Sequence, residues 1–72
     1  MIFDIIIANI LSHTLIELAP RLNSLLAADG LVLLSGVLEV QAEPVCAAFG
    51  PSYTFDTVLA DEWILLAGTR TT

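Results

Sequence analysis

The chain opens on Phe3-Asp4-Ile5-Ile6-Ile7-Ala8-Asn9-Ile10-Leu11, an apolar run with three consecutive isoleucines that ends in a carboxamide. Stiff β-branched side chains favour a pleated strand. A run with no polar alternation predicts a strand covered on both faces, as in a parallel sheet, rather than one wetted on one side. Such a strand needs helices on both sides and, unless it lies at an edge, a neighbouring strand on each side. Asn9 falls where the strand stops. In open α/β sheets the ligand crevice lies outside the carboxyl ends of the strands, which makes Asn9 a site candidate by position. The alternative is that Asn9 serves only a turn or the cap of the next helix, roles that Asn fills readily.

After Asn9 the apolar period changes. Leu11, Leu15, Leu18, Leu22 and Leu25 recur at spacings of four and three, which predicts an amphipathic helix with a leucine stripe. Ser12 or Asn9 is placed to cap its start, and Glu17 and Arg21 stand one turn apart on its outer side. Pro20 removes a backbone donor and crowds the carbonyl of Ile16, so a kink or a break is expected there. Asp29-Gly30 closes the segment, with Gly30 suited to the left-handed conformation just past a helix.

A second apolar run, Leu31-Val32-Leu33-Leu34-Ser35, completes a strand–helix–strand unit, whose crossover is right-handed and whose strands are parallel neighbours. Ser35-Gly36 then lies at the carboxyl end of the second strand, level with Asn9. Gly36 allows a sharp turn or a close backbone approach, and a plain strand-ending turn is the alternative. A helix from Glu39 to Phe49 follows, with Val40, Val45 and Phe49 as apolar contacts, Gln41 and Glu43 facing outward and Pro44 in the first turn. Tyr53 to Leu59 and Trp63 to Thr69 read as two strands joined around Ala60-Asp61-Glu62, an antiparallel hairpin at the end of the sheet.

Composition narrows the classes. Hydrophobic residues make up 57% of a 72-residue chain, against about 45–50% in soluble domains. A body so small hides only about 60% of the surface its unfolded chain exposes. The excess calls for oligomerisation or for a larger domain around the chain. Two basic residues against eight acidic ones leave a net charge of −6, without the basic stripe that nucleic-acid binding needs. The lone Cys46 excludes an internal disulfide and reads as a small buried hydrophobe, no Cys/His cluster suggests a metal, and a reducing cytoplasmic setting is expected. Neither a signal peptide nor a membrane span is expected from the apolar pattern. His13 reads as a solvated first-turn residue, the alternative being a general base beside Asn9.

In this order, Ala8-Asn9-Ile10-Leu11, Leu15-Ile16-Glu17-Leu18-Ala19-Pro20, Leu34-Ser35-Gly36-Val37-Leu38 with Gln41-Ala42-Glu43, and Glu62-Trp63 with Gly68 and Arg70 resemble one family. It is the carboxyl-terminal part of the bacterial methyltransferases that modify the eleventh protein of the large ribosomal subunit. The resemblance spans nearly the whole chain, and Ala-Asn-Ile-Leu and Ser-Gly-Val-Leu followed by Gln-Ala-Glu are its most specific motifs.

The resemblance implies an α/β fold, the C-terminal half of a Rossmann-like class I methyltransferase sheet. Its element order is β-α-β-α-β-β with a terminal antiparallel hairpin, and residues 1–72 form a single partial domain. It implies that these are the fourth to seventh strands of a seven-stranded sheet, the last inserted antiparallel beside the fifth. It further implies S-adenosylmethionine as cofactor, with Asn9 near the methyl group and the incoming amine, and Ile10, Leu11, Ser35 and Gly36 in the cofactor or substrate vicinity. A ribosomal protein of the large subunit is the implied substrate. The family's glycine-rich loop and ribose-holding acid have no counterparts here, so the expectation is a fragment or truncated relative, inactive alone. The alternative is a small acidic interaction module that dimerises through the exposed edge of its first strand.

Overall fold

The computed structural model describes residues 2–61 and 63–71. Strand β1 (Phe3–Ala8) leads into helix α1 (Ser12–Leu25), then β2 (Leu26–Leu38), a 3₁₀ turn over Glu39–Gln41, helix α2 (Ala42–Phe49), and the strands β3 (Tyr53–Ala60) and β4 (Trp63–Arg70). They form one mixed sheet in the order β1-β2-β4-β3, with β1 parallel to β2 and the other two pairings antiparallel. No helix among the described residues is long and apolar enough to cross a membrane.

Both helices lie on the same face of the sheet. Leu15 and Ala19 of α1 and Val45 and Phe49 of α2 share one core with Val32, Leu34, Ile64 and Leu66. Leu15, Leu34 and Leu66 are at most 1% exposed, and burial of each contributes roughly 1.5–3 kcal/mol. Alternation along β4 shows the arrangement: Ile64, Leu66 and Gly68 are buried, whereas Trp63 and Thr69 are exposed and Leu65 and Ala67 half-buried.

The opposite face is bare among the described residues, so within this chain the opening strand is covered on one side only. Phe3, Ile5 and Ile7 are 42%, 56% and 73% exposed. In register they continue into half-buried Leu31 and Leu33 of β2. β1 is therefore an edge strand, sheltered on the helix side only, where Ile6 and Ala8 meet the core.

Other local expectations change as well. α1 runs through Pro20 as one helix, because its inner face is held to the core by packing at Leu15 and Ala19 before the proline and at Leu22 after it. That face is Ser12, Leu15 and Ala19, so the leucine stripe is rotated: Leu18 is 36% and Leu11 67% exposed. Neither Asn9 nor Ser12 caps α1; Leu11 is the cap residue and makes no side-chain bond. The helix stops at Leu25, and β2 begins at once. Two steps along β1 (Phe3 to Ile5) match five along β2 (Leu26 to Leu31), so β2 bulges between them. Asp29, at φ 62°, takes the left-handed conformation expected of Gly30, which is buried over Leu26 instead. The expected second helix is split by the 3₁₀ turn, and Val40 is 85% exposed rather than a core contact. Glu62, placed in the hairpin turn, lies outside the described residues; Asp61 beside it has φ 57°.

Candidate functional site

Asn9 follows the last residue of β1, and Ala8 pairs with Leu34, so the chain leaves β1 directly beside Ser35-Gly36. Those two residues form a bulge within β2 rather than ending it: Leu34 pairs with Leu66 and Val37 with Ile64, three steps against two. The extra residue bends the strand and re-aims its backbone. Gly36 sits there at φ 77°, and a Cβ at this position would lie 2.6 Å from Asn9 Oδ1. Two separate demands, a left-handed backbone and room for a carboxamide, thus converge on one glycine.

A second link joins the same two loops. Ser12 Oγ donates to Gln41 Oε1 at 2.7 Å, across 29 residues of sequence. Ser12 is the first residue of α1 and only 6% exposed. Its hydroxyl therefore leaves the helix start without a side-chain cap and bridges to the 3₁₀ turn after β2. The sequence pattern places Ser12 as a cap and Gln41 on the outer side of its helix, and predicts no bond between them. One signal was available: a reciprocal capping box needs Glu or Gln three residues on, and Leu15 stands there.

Of the other candidates, Ser35 is half-buried beside Gly36, whereas Ile10 and Leu11 are 36% and 67% exposed and stand on the rim. His13 is exposed. Half-buried Cys46 belongs to α2, and burial raises its thiol above the ordinary value, which disfavours the nucleophilic thiolate. Among the described residues no group of three or more His, Cys, Asp or Glu converges on a metal position.

The opposite end of the sheet has a different chemistry. Arg70 Nη1 donates to the carbonyls of Asn23 and Leu26 at 3.1 and 2.6 Å, and so closes the carboxyl end of α1 with a cation, where the helix dipole favours one. Tyr53 Oη donates to Asn23 Oδ1 at 2.9 Å. Burial raises the Tyr53 hydroxyl pKa, and the Arg70 charge partly offsets this. Phe49, Tyr53 and Phe55 gather there with ring centroids 5.4 to 6.0 Å apart, and Gly68 leaves room for the Phe55 ring. Arg70 thus closes the end of α1 and Gly68 makes room for a ring, and neither bonds to Asn9.

The residues present do not by themselves fit S-adenosylmethionine. The carboxyl end offers an amide, a hydroxyl and a bulged backbone, but no enclosed pocket forms among the described residues. Of the two basic residues, Arg70 is committed at the other end and Arg21 lies in the second half of α1, so neither is placed beside Asn9 to hold a carboxylate.

A family model described as "Ribosomal protein L11 methyltransferase (PrmA)" matches residues 1–71. The ribosomal protein L11 methyltransferase of Teredinibacter turnerae is 47% identical over 68 residues, covering 93% of this chain and 23% of the relative. The Klebsiella pneumoniae protein of the same name is 44% identical over the same shares. A crystal structure of ribosomal protein L11 methylase from Lactobacillus delbrueckii subsp. bulgaricus superimposes with a TM-score of 0.88 at 38% identity, covering 99% of this chain and 38% of that one. The chain spans about a quarter of the length of these curated relatives, 23%. On this evidence the chain belongs to the ribosomal protein L11 methyltransferase family.

Proposed function

We propose that this chain is part of the catalytic domain of an S-adenosylmethionine-dependent protein N-methyltransferase and supplies one side of its site. The observation that carries this reading is the Asn9 carboxamide lying against Gly36 where β1 and β2 end and bulge, in a chain of this family. In this reading β1, β2, β3 and β4 are the fourth to seventh strands of a larger sheet. The substrate of the complete enzyme is the large-subunit ribosomal protein, and its setting is the cytoplasm. Asn9 Oδ1 accepts a hydrogen bond from the incoming amine and orients its lone pair, so that this chain's share of the rate comes from alignment. The rest of the site, which encloses the cofactor, comes from outside these residues, and the chain alone does not methylate.

Two measurements test this. Calorimetry of the 72-residue chain with S-adenosylmethionine gives no micromolar binding; such binding would overturn the claim of a half-site. Replacing the matched 68 residues of the Teredinibacter turnerae enzyme with this chain gives a chimera that methylates ribosomal protein L11. Asn9→Ala in that chimera lowers kcat by about 10²-fold. An inactive but folded chimera, or an unaffected Asn9→Ala variant, rejects the role.

One observation favours a second reading, a small acidic module that dimerises. β1 is an edge strand with Phe3, Ile5 and Ile7 exposed. Unpaired strand edges with apolar neighbours promote association. Light scattering after size exclusion decides it: a monomer at micromolar concentration removes this reading.

A further inference from the structure

Ser12 and Gln41 stand on the two loops that meet at Asn9 and Gly36. Ser12 follows Asn9 by three residues, and Gln41 follows Gly36 by five. The segment from Asn9 to Ser12 is thereby fastened at both ends. At one end Ala8 is paired with Leu34 in the sheet; at the other Ser12 Oγ is bonded to Gln41 Oε1 at 2.7 Å. Between them Ile10 and Leu11 are exposed and offer little packing to hold the backbone. A buried serine at a helix start ordinarily satisfies that helix's own N–H groups. Here it makes no cap bond and reaches across to the other loop instead.

We infer that Ser12 and Gln41 are positioning residues that hold the Asn9 loop against Gly36 and so set where the Asn9 carboxamide lies. The inference rests on the proposed role of Asn9 and assigns what fixes that side chain. Gly36 supplies the space, since a Cβ would meet Asn9 Oδ1 at 2.6 Å, and the Ser12–Gln41 bond supplies the restraint. Neither residue touches the reacting atoms.

The test is made on the 72-residue chain itself by ¹H–¹⁵N correlation spectroscopy of the Asn9 side-chain amide and the Gly36 backbone amide. Ser12→Ala and Gln41→Leu each displace both signals by more than a linewidth. The double variant displaces them no further than either single change. Gln41→Glu, which keeps an acceptor for the Ser12 hydroxyl, leaves them at their wild-type positions. The backbone amides of Tyr53 and Arg70, at the other end of the sheet, stay in place throughout. The inference is overturned if Gln41→Leu leaves the Asn9 signals unmoved, whatever happens to the melting temperature. Additive displacements in the double variant, or shifts spread equally to Tyr53 and Arg70, overturn it as well. Gln41 is exposed, so its variants carry the test even where Ser12→Ala does not fold. Nothing here uses cofactor or turnover, so failure of the methyltransferase reading is seen separately, in the chimera.

Discussion

The two ends of the sheet are built on opposite plans. At the end where β2 starts and β4 stops, most polar groups are tied off, the buried Arg70 Nε excepted: Arg70 Nη1 closes the end of α1, Tyr53 holds Asn23, and the Thr71 amide and hydroxyl both donate to the Ser52 carbonyl, at 2.6 and 2.8 Å. Three aromatic rings fill the space beneath. At the other end the helix has no side-chain cap, a glycine holds a left-handed bulge, and an exposed carboxamide rests against it on the strength of a single side-chain bond nearby. The closed end stabilises; the open end keeps polar groups available. Sites are commonly built where the scaffold spends stability on geometry rather than on closure.

That contrast can be broken from either side. The largest effect is expected from Arg70→Met, which leaves two carbonyls at the end of α1 without their charged donor and should cost roughly 3 kcal/mol. Urea titration measures it, and the Asn9 side-chain signals should not move. Gly36→Ala comes next, at about 1–2 kcal/mol for forcing an L-residue into the left-handed region. Unlike the Arg70 change it must also displace Asn9 Oδ1, so its signature is an Asn9 shift out of proportion to its stability loss. An Asn9 side chain that responds to Arg70→Met as strongly as to Gly36→Ala would dissolve the distinction between the ends.

Tyr53→Phe is smaller, about 0.5–1.5 kcal/mol for the bond to Asn23. It also carries a pH signature. Burial raises the Tyr53 pKa in the folded state, so the folded chain keeps its proton where the unfolded chain loses it. The corresponding stability is fully present below the ordinary tyrosine value of about 10 and is lost as pH rises through the raised folded value. Alkaline melting curves of the wild type should therefore fall more steeply above about pH 10 than those of Tyr53→Phe.

Local pattern made most of the elements readable. β1 is the Ile-rich run, α1 follows the four-and-three leucine spacing, and the hairpin lies between strand-like runs rich in β-branched and aromatic residues. What failed to show depended on partners distant in sequence. Ile5-Ile6-Ile7 reads the same whether its second face is covered by this chain or bare, because burial belongs to the assembly and not to the run. Pro20 reads as disruptive because its local cost, about 3 kcal/mol, is plain in sequence while the packing that offsets it is not. At the site, the position of Asn9 could be read from where its strand ends. Its approach to Gly36 could not, since it depends on a bulge defined by the register of β2 against β4. The Ser12–Gln41 bond spans 29 residues and leaves no periodic trace.

The bare sheet face has a thermodynamic consequence. Unfolding raises heat capacity in proportion to the apolar surface newly given to water, roughly 12–15 cal/mol/K per residue in ordinary domains. Phe3, Ile5 and Ile7 are already half or more hydrated on average in the folded chain and add less to that change than core residues do. The stability curve of this chain should therefore be flatter than its length implies, and its denaturant slope shallower. A neighbour that covered the face would restore both, so calorimetry can report such cover without identifying it.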